Sequence, residues 1–163
     1  MQFYNIKDDY IAYLKQYDKK VADNKNAQRP YMGVVLEINS IKYYTPFSSP
    51  KPKHRTMKNA KDFRKINQGI YGAINFNNML PVTDDALLLI DIDHLKDKKY
   101  QRLLQNQYRY IKADEAQILN TAHNLHTLIF TEDEKLTSND KRIKSRCCNL
   151  PLLESLIKQR DKT

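Results

Sequence analysis

The sequence predicts an α+β domain: a twisted, mainly antiparallel sheet flanked by helices. Apolar runs of strand length follow one another with hairpin-length turns between them. A helical period then takes over towards the C-terminus, giving the coarse order β-α-β-β-β-β-α-α-α rather than a β-α-β alternation. With only three glycines, none in a Gly-rich run after a strand, phosphate-cradling nucleotide folds have no support. At 163 residues the chain is long enough for one core and too short to expect two, so a single domain over 1–163 is expected.

Taken in order, Phe3-Tyr4-Asn5-Ile6 reads as a short strand. Asp8 or Asp9 can cap a helix running to about Val21, with Tyr10, Leu14 and Tyr17 on one face. Residues 22–29 are polar and aperiodic, hence a loop. Tyr31 to Ile38 is the clearest strand, and Asn39-Ser40 is a tight turn into a second strand from Ile41 to Phe47. Ile70 to Phe76 reads as a third strand and Ala86 to Ile92 as a fourth. From Asp97 to Thr131, Leu104, Tyr108, Ile111, Ile118, Ala122, Leu125 and Ile129 recur near the helical period. That stretch is long for one helix and should break near Lys112-Ala113-Asp114. A polar connector from Glu132 to Asp140 follows, and Pro151 suits the first turn of a last helix, Leu152 to Arg160.

The net charge is +9 and the sequence pI about 9.4, which fits a polyanionic partner, most simply nucleic acid. The charge is concentrated. Between Pro50 and Lys65 stand Lys51, Lys53, Arg55, Lys58, Lys61, Arg64 and Lys65 against a single acid, Asp62. This run abuts Ser48-Ser49-Pro50-Lys51-Pro52-Lys53-His54-Arg55, where hydroxyls and cations crowd a turn stiffened by two prolines. Cutting RNA without a metal requires that the 2′-hydroxyl lose a proton, the phosphorane be stabilised and the 5′-oxygen gain a proton. Lys51 supplies a cation, Ser48 and Ser49 supply donors, and His54 titrates near neutrality without help. Tyr10 and Tyr31, at the edges of elements near the hairpin, are candidates for hydrogen bonding or for stacking on unpaired bases. A plainer reading makes the whole segment a solvated basic loop after a strand.

A rival constellation is Asp91-Ile92-Asp93-His94. Two carboxylates on one strand face can hold Mg²⁺ or Mn²⁺, although Asp93 also sits where a helix cap would. His123 and His126 share a helix face but lack the glutamate of a zinc protease motif, and Cys147-Cys148 are adjacent rather than spaced as metal ligands. Neighbouring cysteines do not make a structural disulfide, so they read as buried small apolar residues in a reducing, cytoplasmic setting. No secretory or membrane-spanning segment is apparent.

Five stretches stand out together: Phe3-Tyr4-x-Ile6-x-x-x-Tyr10-Ile11-x-Tyr13-Leu14, Gly33 to Ile38, Lys42-Tyr43-x-x-Pro46-Phe47-Ser48-Ser49-Pro50-Lys51, Ile74-Asn75-x-x-x-Met79-Leu80-Pro81-Val82, and Cys148-Asn149-Leu150-x-Leu152-Leu153-Glu154. In this order and spacing they resemble the ToxN/AbiQ family. The resemblance covers almost the whole chain. It implies a Kid/MazF-like fold and an endoribonuclease toxin of a type III toxin–antitoxin system. Such a toxin cleaves RNA without metal or cofactor, leaving 2′,3′-cyclic phosphate and 5′-hydroxyl ends. The implied partners are cellular RNA and a small pseudoknot RNA antitoxin, cut from a repeat precursor and held in a closed ring such as a 3:3 assembly. The implied roles are growth arrest and abortive phage defence.

By the same resemblance, Ser48-Ser49-Pro50-Lys51 is the active-site turn. Lys51 acts on the reacting 2′-oxygen, Ser48 and Ser49 assist it, and Tyr10 belongs to the same site. Arg29 stands where the family has a lysine and, always protonated, suits phosphate rather than proton transfer. An acid–base role for His54 is read from the residues alone. Tyr31, Lys53, Arg55, Lys58, Lys61, Arg64 and Lys65 are the expected RNA contacts. The alternative is a non-catalytic RNA-binding module using the basic loop 50–65.

Overall fold

The computed structural model describes residues 1–163. Its centre is the predicted hairpin. Strands β2 (Tyr31–Ile38) and β3 (Ile41–Ser48) pair antiparallel, and Asn39 and Ser40 between them both take left-handed φ (51° and 64°), as a two-residue hairpin of the primed type requires. Strand β1 (Gln2–Ile6) pairs with β2, with Tyr4 opposite Tyr31. Beyond β3 lie β5 (Ala73–Asn75) and then β4 (Phe63–Lys65), while β7 (Leu87–Leu89) closes the other edge against β1. The two-residue β6 (Leu80–Pro81) also lies beside β3, with Pro81 opposite Tyr43. The order is β4-β5-β3-β2-β1-β7, and every pairing is antiparallel.

Six helices accompany the sheet: α1 (Asp8–Tyr17), α2 (Pro52–Thr56), α3 (Lys98–Ala113), α4 (Glu115–Phe130), α5 (Ser138–Arg146) and α6 (Leu150–Arg160). The expected break in the long helical stretch falls at Asp114, between α3 and α4. Helix α1 stops at Tyr17 instead of reaching Val21 because Asp18 is drawn into a tertiary contact. Its buried carboxylate accepts N–H bonds from Lys20 at 2.9 Å and from Asn149, at the start of α6, at 2.7 Å.

The third strand is shorter than expected, beginning only after Gly72, and the fourth keeps just Leu87–Leu89. Helices α2 and α5 and strand β4 arise in stretches too polar to show an apolar period. One continuous core of 32 buried residues joins the sheet (Phe3, Met32, Tyr43, Phe47) to the helices (Leu104, Ile118, Leu125, Leu153).

Candidate active site

The site begins where β3 runs out of partners. The Phe47 N–H donates to the Pro30 carbonyl at 3.2 Å, and Ser48 Oγ donates to the Ala73 carbonyl at 3.4 Å. The chain then leaves the sheet through the exposed Ser49-Pro50-Lys51, and neither Pro50 nor Pro52 has an N–H to tie down. A reciprocal pair of bonds starts α2. His54 N–H donates to the Lys51 carbonyl at 2.9 Å, and the Lys51 N–H donates back to His54 Nδ1 at 3.2 Å. Pro52 in the first turn presets the helical φ.

Beside this turn opens a cleft of about 520 Å³, lined among others by Asn5, Lys25, Gln28, Arg29, Ser48, Ser49, Tyr100 and Gln107. Two chain segments meet here because Pro30, immediately after Arg29, pairs with Phe47. Arg29 is held by its own Nε, which donates to the Asp23 carbonyl at 2.6 Å, and by Asn5 Nδ2, which donates to the Arg29 carbonyl at 3.1 Å. The structure thus brings Ser48, Ser49 and Arg29 to one cleft, with the exposed Lys51 two residues beyond Ser49 and free of any acidic partner. Asp97, also in the cleft wall, caps α3 by accepting the Lys99 and Tyr100 N–H groups, each at 3.0 Å.

Other expected site residues lie elsewhere. Tyr10 is buried, and its hydroxyl donates to the Pro81 carbonyl at 2.8 Å. Pro81 is opposite Tyr43, five residues and therefore about 17 Å along β3 from Ser48. Tyr10 thus belongs to a separate cleft with Arg160, whose guanidinium lies 5.4 Å over its ring. Burial pushes its hydroxyl pKa well up. Tyr31 is 0% exposed and cannot stack on a base; it opens β2 with its side chain in the core. His54 is 2% exposed, and burial first, then the Lys51 and Lys53 charges, lower its pKa, so it serves as an inward-facing helix cap.

The basic segment divides. Lys53, Arg55 and Lys58 are exposed and have no acidic partners, whereas Lys61 pairs with Asp140 at 2.7 Å. Arg64 binds Asp114 with two N–H groups, Nη2 lying 2.8 Å from Oδ1, and so pins the α3–α4 break. Lys65 is half-buried, and its N–H donates to Asn59 Oδ1 at 2.8 Å. The one acid of this segment, Asp62, is buried and clamped by Arg146 at 2.6 and 2.7 Å.

Asn5, Lys25, Gln28, Tyr100 and Gln107 were not anticipated. Lys25 and Gln28 lie in the polar loop that the sequence does show, but nothing along the chain links that loop to Ser48. Asp91 hydrogen-bonds His94 at 2.8 Å on an exposed turn, and no three His, Cys, Asp or Glu side chains converge as metal ligands. Cys147 and Cys148 are free and buried, and burial pushes the Cys147 thiol pKa up to about 12. No helix is long and apolar enough to cross a membrane.

The family profile described as Toxin ToxN, type III toxin-antitoxin system, matches residues 2–158. The endoribonuclease ToxN of Pectobacterium atrosepticum is 32% identical over 94% of this chain and 90% of its own length. The endoribonuclease AbiQ of Lactococcus lactis subsp. lactis is 32% identical over 74% of this chain and 70% of its own. Among solved structures, a type III toxin selectively inhibited by a non-coding RNA pseudoknot superposes with a TM-score of 0.87 at 28% identity, covering 99% of this chain and 98% of that one. The lactococcal anti-phage endoribonuclease AbiQ superposes with a TM-score of 0.81 at 27% identity, again over 99% and 98%. By sequence and by fold, then, this chain belongs to the ToxN toxin family of type III toxin–antitoxin systems.

Proposed function

We propose that the chain is a metal-independent endoribonuclease toxin whose reaction centre is the Ser48–Lys51 turn. The observation that carries this reading is the cleft in which Ser48, Ser49 and Arg29 meet, with an unpaired Lys51 beside them. In the reaction the 2′-oxygen bonds to phosphorus as its proton departs. The bond from phosphorus to the 5′-oxygen breaks, and that oxygen takes up a proton. The products are a 2′,3′-cyclic phosphate and a 5′-hydroxyl. Negative charge grows on the phosphorane oxygens. Arg29, permanently protonated and oriented by the Asp23 carbonyl, is suited to bind it. Lys51 Nζ stabilises the reacting oxygen, the exposed Ser49 hydroxyl donates a hydrogen bond, and Ser48 joins it by turning its hydroxyl from the long bond to the Ala73 carbonyl.

The exposed Lys53, Arg55 and Lys58 extend this cation-rich face away from the turn and suit an RNA backbone. The likeness to a toxin inhibited by an RNA pseudoknot supports a folded RNA antitoxin as partner. We further propose that this RNA is cut from a repeat precursor and held with the toxin in a closed assembly such as 3:3. The likeness to an anti-phage endoribonuclease supports a role in growth arrest and phage defence.

The test is cleavage of end-labelled RNA in excess EDTA by wild type and Lys51→Ala. The expected result is cyclic-phosphate ends from the wild type and a loss of about 10³-fold in the variant, with RNA binding retained. EDTA-sensitive cleavage would move the chemistry towards a metal, and cleavage by neither protein would leave an RNA-binding module.

A further inference from the structure

The reactive turn is anchored from behind by a residue that no sequence pattern marks. Helix α3 buries Leu104, Gln107 and Ile111 along one stripe, and Gln107 is its polar member, 1% exposed. Its Nε2 forks to two carbonyls, donating to Ser48 at 3.2 Å and to Tyr71 at 2.8 Å. That pairing fixes which way the amide points and leaves Oε1 buried without a partner. The unpaired Oε1 weakens the fold and the two bonds from Nε2 offset that cost, so what the side chain specifically provides is the link between the two carbonyls.

We infer that Gln107 is a positioning residue for the reaction, resting on the reading of the Ser48–Lys51 turn as the reactive centre. Ser48 is the last residue of β3, so the direction of its carbonyl sets how the chain departs towards Ser49 and Lys51. Gln107 ties that carbonyl to the segment at Tyr71. Gly72 adopts φ of +99°, and a Cβ there would lie 1.8 Å from the Ser48 carbonyl oxygen, so nothing larger fits between the two strands. His54 holds the far side through the Lys51 N–H. The two prolines leave few other backbone bonds in between, so Gln107 and His54 bracket the turn. Gln107 also lines the cleft that holds Arg29, so moving its end of the bracket shifts the serines relative to the phosphate site.

In-line attack tolerates little displacement: misplacing reacting groups by about 1 Å costs on the order of 10²-fold in rate. The experiment measures single-turnover cleavage of end-labelled RNA across protein concentrations. It compares wild type, Gln107→Leu, Gln107→Glu and Lys51→Ala, with a melting curve for each. Gln107→Leu should lower the saturating rate by about 10²-fold while half-saturation moves less than about threefold, in a protein whose melting curve shows it still folded at the assay temperature.

Gln107→Glu supplies a different readout. An ionised carboxylate turns two acceptors towards the carbonyls, whereas the protonated acid can donate to one of them. Its deficit against wild type should therefore shrink as the pH falls from about 8 to about 5.5, burial raising its pKa into that window. A Gln107→Leu protein that cleaves at the wild-type saturating rate overturns the assignment. If the leucine variant fails to fold, a Gln107→Glu deficit flat in pH overturns it instead. An active Lys51→Ala removes the reading on which the inference rests, and an inactive Lys51→Ala beside an active Gln107→Leu removes the Gln107 role alone.

Discussion

Strand β3 carries polar side chains at both ends, and the two ends have opposite fates. Near its start, the Tyr43 hydroxyl donates to the Glu154 carboxylate, which also lies 3.1 Å from His126 Nε2. Helices α4 and α6 supply the histidine and the glutamate, Phe130 stacks on the His126 ring at 4.3 Å, and all three polar residues are buried. Burial, reinforced by the hydrogen bond to Glu154, pushes the Tyr43 hydroxyl pKa far up. At the other end no helix covers Ser49 or Lys51, and their polar atoms are left to solvent. Polar groups that find protein partners hold the fold together, while those without partners remain available to a substrate.

That contrast can be broken from its closed end. Glu154→Ala leaves the Tyr43 hydroxyl and the His126 ring buried and unpaired, and should cost about 3 kcal/mol in chemical denaturation. The folded fraction should still cleave at the wild-type rate; slower cleavage would show that the network reaches the active site. Tyr10→Phe deletes one buried hydrogen bond, to Pro81, and should cost about 1 kcal/mol with cleavage unchanged. A large loss of rate would return Tyr10 to the reaction centre.

The smallest effect is a pH dependence at the open end. His54 has a lowered pKa in the fold, so the unfolded chain takes up its proton at higher pH. Its contribution to stability is present above about pH 6.5 and is lost as the pH falls. Gln at this position keeps an acceptor for the Lys51 N–H and does not titrate. Wild type should therefore lose stability relative to His54→Gln below about pH 6.5. Melting temperatures of the two proteins at several pH values would show the gap, and a constant difference would contradict the assignment.

The hairpin, the helix break at Asp114 and the final helix were legible because each depends on local signals: alternation, turn residues and helical period. The turn proposed as the reaction centre stands out along the chain because its hydroxyls, prolines and cations are contiguous. Tyr10 and Tyr31 were misplaced because a tyrosine at the edge of an element looks the same from sequence whether it faces solvent or core. Arg64 and Lys61 were counted as free cations because their partners, Asp114 and Asp140, lie far along the chain.

By itself, the sequence determined the antiparallel frame and the segment where hydroxyls and positive charge concentrate. Backbone pattern and charge clustering are properties of neighbouring residues, so they survive being read along a line. Only the tertiary structure decided that Arg29 meets Ser48 and Ser49, that His54 turns inward, and that Gln107 reaches the Ser48 carbonyl across 59 residues. Those outcomes depend on which side chains the packing of distant segments buries or leaves in water.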